Sequence, residues 1–90
     1  KHIYIGFPDF NARLDMLKQY IENRPFSEDL DLFNVAILTV GYTSSDLKYI
    51  VNETAKMALK KDSKITDEFF KEVIGKYKPA VKNDDSFSQF

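Results

Sequence analysis

An all-α domain of four helices is what this sequence predicts, on three observations. Four stretches carry apolar residues at alternating three- and four-residue spacings. Each of the four opens on an Asp or a Thr, residues whose side chains can accept from the free amides of a helix start. The three Gly and three Pro punctuate the chain rather than pervade it. Ninety residues suffice for one domain, burying roughly 60–65% of its unfolded surface. With 43% of its residues apolar, the chain is expected to form a core.

Ile3-Tyr4-Ile5-Gly6-Phe7, β-branched and aromatic and ended by Pro8, reads as one short strand. A lone strand leaves backbone groups unpaired, so it reads as the remnant of a sheet whose other strands are missing. Asp9 caps a first helix expected to run to about Asn23, with Phe10, Leu14, Leu17 and Ile21 on its stripe and Ala12, Met16 and Tyr20 broadening it. Arg24-Pro25 stops that helix. Asp31 caps a short second helix through Thr39, apolar on several sides and therefore expected to be buried between neighbours. Gly41 marks a stop and a tight turn.

Thr43 caps the longest helix, with Asp46 in capping-box position. Its rhythm runs through Leu47, Ile50, Val51, Thr54, Ala55, Ala58 and Leu59, and its lysines gather near the end, where they complement the helix dipole. Thr66 caps a fourth helix, with Phe69, Phe70, Val73, Ile74 and Tyr77 on one face, and Pro79 ends it. Residues 80–90 are polar apart from Ala80, Val81 and the separated Phe87 and Phe90, and read as a mobile tail.

Composition excludes several classes of function. Zero Cys removes a disulfide scaffold and any thiolate metal site. A net charge of −1 gives no electrostatic footprint for nucleic acid. The longest apolar run, Val35-Ala36-Ile37-Leu38, falls far short of a membrane span, and no basic start followed by an apolar stretch suggests secretion, so a cytoplasmic setting is expected. His2 stands without a second His or any Cys to share a metal. Asp29-Leu30-Asp31 begins like a calcium loop, yet Asn34 stands where that loop needs Gly and Val40 where it needs Glu. Asn52-Glu53-Thr54 is a sequon inside a helix. The lysines at 56, 60, 61 and 64 read as a solvated helix end. No G-x-x-x-x-G-K-[ST] occurs, so the chain by itself cannot cradle a triphosphate.

Five stretches together carry a family resemblance. Ile5-Gly6-Phe7-Pro8-Asp9-Phe10-Asn11-Ala12-Arg13-Leu14-Asp15-Met16-Leu17 resembles the strand-to-helix junction that opens the small domain of AAA ATPases. Gly41-Tyr42-Thr43-Ser44-Ser45-Asp46-Leu47 is similar to that family's G-[FY]-[ST]-G-A-D-[LI] motif. Val51-Asn52-Glu53-Thr54-Ala55 with Ala58-Leu59, then Ile65-Thr66-Asp67-Glu68-Phe69, then Lys78-Pro79-Ala80-Val81, resemble its later segments in order and separation. The ordered set is specific where each piece is weak. It resembles the C-terminal helical lid of the clade that holds FtsH, katanin, spastin and the valosin-containing-protein relatives.

The resemblance implies a four-helix lid over residues 9–79, with residues 1–8 as strand remnant and linker from a missing P-loop domain. It implies that Met16 and Tyr20 touch adenine, and that Ser44 and Ser45 occupy the Gly-Ala pair by which backbone approaches base and ribose. Ser44 departs from the usual Gly. Ser45 stands where related clades place a second-sensor Arg, which favours the narrower clade. ATP and Mg are the cofactors implied for the parent protein. Its own P-loop domain, the neighbouring subunits of a hexameric ring and a protein substrate are the partners implied. The isolated chain is expected neither to hydrolyse ATP nor to bind it tightly, because the phosphate contacts lie elsewhere. Met16 and Tyr20 also serve as plain core positions of an amphipathic helix. Arg13 is expected to pair with Asp9 one turn back. The alternative is a free-standing helical interaction module with Phe7, Phe10 and Tyr42 as an exposed apolar dock.

Overall fold

The computed structural model describes residues 7–77. Most of the expected strand, Pro79 and the expected tail lie outside these residues. Four helices follow in order: α1 (Phe10–Ile21), α2 (Leu32–Leu38), α3 (Ser44–Lys60) and α4 (Asp67–Lys76). The all-α class is therefore the observed one. Each start is capped by the residue the sequence points to. Asp9 accepts from the Ala12 amide, Asp31 from those of Phe33 and Asn34, Thr43 from that of Asp46, and Thr66 from that of Phe69.

Helix α1 packs on α2 and α3, and α4 packs on α3 and α2. Leu17, Leu47, Ile50 and Phe70 are fully buried where these helices meet, with Ile65 and Tyr42 added from the connections. One β-bridge joins connections among the described residues: the Ile65 amide donates to the Pro25 carbonyl and the Ser27 amide to the Ile65 carbonyl. It ties the turn after α1 to the turn before α4, so the lower ends of α1 and α3 lie together.

Four expectations need correction. α2 is not enclosed: Val35 and Ala36 are buried, but Phe33, Ile37 and Leu38 are exposed on its outer side. Seven residues present one inward stripe, and no element covers the opposite side among the described residues. Leu59 follows the rhythm of α3 but is 80% exposed: it stands about 100° round the helix from the buried Ala58, outside the inward stripe. Tyr42 is buried, so it cannot belong to an exposed dock with Phe7, and Phe10 is half-covered by Phe33, with ring centroids 5.6 Å apart.

Arg13 is the fourth correction. It does not pair with Asp9, whose carboxylate is engaged as the α1 cap. It is buried, and its Nε donates to the Ala36 carbonyl at 2.9 Å and its Nη1 to the Pro8 carbonyl at 3.0 Å. A guanidinium at the last carbonyls of α2 also meets the negative end of that helix dipole.

Two positive-φ residues shape the turns. Gly41, at φ 87°, makes the reversal between α2 and α3. Asp62, at φ 53°, closes α3 in a Schellman arrangement, with the Ser63 amide on Ala58 and the Asp62 amide on Leu59. No glycine marks this second stop in the sequence. Replacing Asp62 by Gly should stabilise the domain by about 0.5–1 kcal/mol, read as a higher urea midpoint with unchanged slope. Replacing Arg13 by Met, which keeps the bulk but removes the donor from the Pro8 carbonyl and leaves that of Ala36 to Thr39 alone, should cost about 1–2 kcal/mol in the same titration.

Candidate functional site

The side chains that matter lie along the junction of α1 and α3, and two contacts fix its register. The Arg24 guanidinium donates to Asn52 Oδ1 at 2.7 Å, and the Lys48 ammonium sits 5.9 Å from the centre of the Tyr20 ring. Both pairs are 28 positions apart, so α1 and α3 run parallel. One turn higher, the same offset sets Met16 level with Ser44. Along α1 the stripe is Met16 and Tyr20, continued beyond the helix end by Arg24; along α3 it is Ser44, Lys48, Asn52, each at four-residue steps. Ser45 flanks the second stripe three residues before Lys48. The register therefore brings Met16, Tyr20, Ser44 and Ser45 to one side of one helix pair. Lys48 joins them, a residue the sequence motifs do not single out; its four-step spacing from Ser44 is the signal that finds it.

Ser44 and Ser45 are exposed, at the first two positions of α3, where helix geometry provides their amides no intrahelical acceptor. Met16 and Tyr20 are half-buried, each packed on the core with part of the side chain left outside. The site thus offers free N–H groups, the positive end of a helix dipole, and a thioether and an aromatic face beside them. Such a surface suits a planar, hydrogen-bonding aromatic ring. Among the described residues there is no cluster of His, Cys, Asp and Glu able to hold a metal ion.

The start of α3 is held rigidly by Asp46. Its amide donates to the Thr43 hydroxyl at 3.2 Å, and its Oδ2 accepts from the Thr43 amide at 2.9 Å. Its Oδ1 accepts from the Tyr77 hydroxyl, which ties the end of α4 to the start of α3. Tyr77 also lies against Tyr42 and Tyr49, at centroid separations of 5.8 and 4.9 Å. Burial, the bond to Asp46 and the charges of Asp46 and the neighbouring tyrosines push the Tyr77 phenol up to about 12. Burial first and the charge of Asp46 second raise that of Tyr42.

No family model matches the chain. Individual relatives do. An ATP-dependent zinc metalloprotease FtsH of Caldicellulosiruptor bescii is 36% identical over 77 residues, covering 84% of this chain and 12% of that protein. The FtsH of Lactococcus lactis is 38% identical over 64 residues, 71% of this chain and 9% of that protein. A cell division cycle protein 48 homolog of Archaeoglobus fulgidus is 27% identical over 101 aligned positions, 94% of this chain and 14% of that protein. The chain thus spans only about a tenth of the length of these curated relatives.

The Asp46–Tyr77 bond yields a pH dependence. The folded phenol lies above its ordinary value of 10.0, so its stabilising contribution is complete below pH 10 and is lost as the pH rises towards about 12. Tyr77→Phe should lower stability at neutral pH by about 1–2 kcal/mol. It should also flatten the fall in denaturation midpoint between pH 10 and about 12, relative to the parent chain.

By its sequence this chain belongs to the AAA ATPases, and it matches a stretch of their FtsH and Cdc48-type members.

Proposed function

We propose that this chain is the lid of an ATP-hydrolysing AAA protein. It closes the adenine side of a nucleotide whose phosphates and Mg are held by a preceding P-loop domain, and it passes the motion of hydrolysis to a neighbouring subunit of a ring. The observation that supports this reading is the shared 28-residue offset of the Arg24–Asn52 and Tyr20–Lys48 contacts, which runs α1 alongside α3 in parallel, towards the uncapped first amides of the longest helix.

In this reading Tyr20 and Met16 supply the apolar face against the base. The Ser44 and Ser45 amides supply donors, and the Ser44 side chain narrows the approach relative to a glycine. Asp46 and Thr43 do not touch the nucleotide; they hold the helix start in place. The phosphates carry most of the binding energy and lie with the other domain, so the isolated chain binds ATP weakly and hydrolyses none. The uncovered side of α2, with Phe33, Ile37 and Leu38 exposed, is where a neighbouring domain of the assembly would rest. No described helix is long and apolar enough to cross a membrane, and the lid is proposed to work in the cytoplasm on a protein substrate engaged by other parts of the ring.

This reading competes with a free-standing interaction module, and one experiment separates them. The gene is to be read upstream of Lys1 and the encoded protein assayed with Tyr20→Ala. A P-loop motif upstream, with KM for ATP raised about 5-fold, the equivalent of losing about 1 kcal/mol of contact, and little change in kcat, is the expected result. No upstream P-loop, or an unaltered KM in a folded variant, overturns the lid reading.

A further inference from the structure

A groove of about 500 Å³ runs between α3 and α4, with Met57 and Val73 at its base. Its walls carry Lys56, Lys60, Lys61 and Lys76 against Glu53 as the one acid. Lys56 pairs with Glu53 at 3.2 Å and Lys76 with Glu72 at 3.5 Å, yet both lysine side chains are more than 70% exposed, and such pairs hold weakly. Lys61 lies over the Phe69 ring, a contact that leaves its charge in place. Lys60 has no carboxylate within ion-pair distance among the described residues. The groove is thus apolar at its base and net positive at its rim.

The turn after α1 has the opposite character. The Leu30 amide donates to the Ser27 carbonyl at 3.0 Å, which closes a tight turn with Glu28 and Asp29 at its tip, both exposed. The bridge from Pro25 and Ser27 to Ile65 fixes the root of this turn, where Phe26 stands 43% exposed. Residues 26–31 hold three acids, Glu28, Asp29 and Asp31, and no base. No lysine or arginine lies within ion-pair distance of these acids among the described residues. Phe26 borders Lys18 of α1 and Leu32 of α2, and it is absent from the lining of the α3–α4 groove. Held there by the bridge, the turn does not reach the groove of its own molecule.

We infer that this turn docks in the α3–α4 groove of a second copy of the chain, with Phe26 on Met57 and Val73 and the carboxylates of Glu28 and Asp29 at Lys56 and Lys60. The two lysines stand one helical turn apart, roughly 6 Å along α3. Two neighbouring carboxylates at the tip of a turn can splay to that spacing. The occupant is a second copy because both halves of the match stand on one chain and cannot meet within it. An aromatic side chain on an apolar floor supplies the contact, and the opposed charges set its partner and orientation. The inference goes beyond the nucleotide reading and does not depend on it.

Sedimentation equilibrium of the full ninety-residue chain at near-millimolar concentration tests it. The average mass at low salt should exceed that of the monomer, and high salt should return it to the monomer. A groove variant, Lys56→Glu with Lys60→Glu, and a turn variant, Glu28→Lys with Asp29→Lys, should each associate more weakly by roughly tenfold or more. Mixed in equal amounts, the two should regain the parental association, because the acidic groove of one meets the basic turn of the other. Phe26→Ala should weaken association without a charge change. Urea midpoints of the variants separate a lost contact from a lost fold. A parent chain that stays monomeric at low salt overturns the inference. Association indifferent to both charge reversals also overturns it, and places the contact on another surface such as the outer side of α2. So does a mixture that stays monomeric while both variants keep the parental urea midpoint.

Discussion

Arg13 is the residue on which the upper half of this domain depends. Burying a guanidinium costs several kcal/mol unless its donors are satisfied. Here two carbonyls satisfy it, one from the incoming chain at Pro8 and one from the end of α2 at Ala36. A seven-residue helix has little stability of its own, and α2 leaves its outer side uncovered among the described residues. Its position is set by Val35 and Ala36 in the core and by this clamp. From that fixed end the chain has only Thr39 to Tyr42 in which to reverse before Thr43 caps α3. The place where Ser44 and Ser45 stand is thus inherited, step by step, from a cation buried in α1.

Asp46 completes the arrangement from the other side. One carboxylate oxygen closes the capping box and the other receives Tyr77, so a single short side chain joins the start of α3 to the end of α4. The end of α4 is thereby coupled to the first turn of α3. A displacement of α4 must either carry the first turn of α3 with it or break a charge-assisted hydrogen bond.

What the sequence discloses and what it hides divide along local and long-range lines. All four N-caps were legible, because capping is a contact within three residues. So was the inward stripe of α3 as far as Ala58. The exposure of Leu59 was not legible, since it depends on how wide a stripe of α3 its neighbours cover, and neither was the stop at Asp62, where the left-handed residue is not a glycine. The reading of Arg13 failed for the same reason. Spacing offers it Asp9, but Asp9 is spent as a cap, and the acceptors that win belong to Pro8 and to a residue 23 positions away. At the candidate site, the family pattern brought forward Met16, Tyr20, Ser44 and Ser45, whereas Lys48, one turn after Ser44 and in no motif, was singled out by its contact with the Tyr20 ring.

That register has a consequence in the shape of the domain. With Met16 level with Ser44, the six residues from Phe10 to Asp15 stand above the start of α3, an overhang of roughly 9 Å at the helical rise. The two parallel helices therefore form a step whose tread is the first amides of α3 and whose riser is α1. Ala12 continues the stripe above Met16 and contributes only a methyl to the inner corner. The depth of the step comes from the stagger of two backbones held by Arg13, Arg24 and the core. Substitutions at Met16, Tyr20 or Ser44 can recoat its surfaces, but its height changes only if the helices themselves slide.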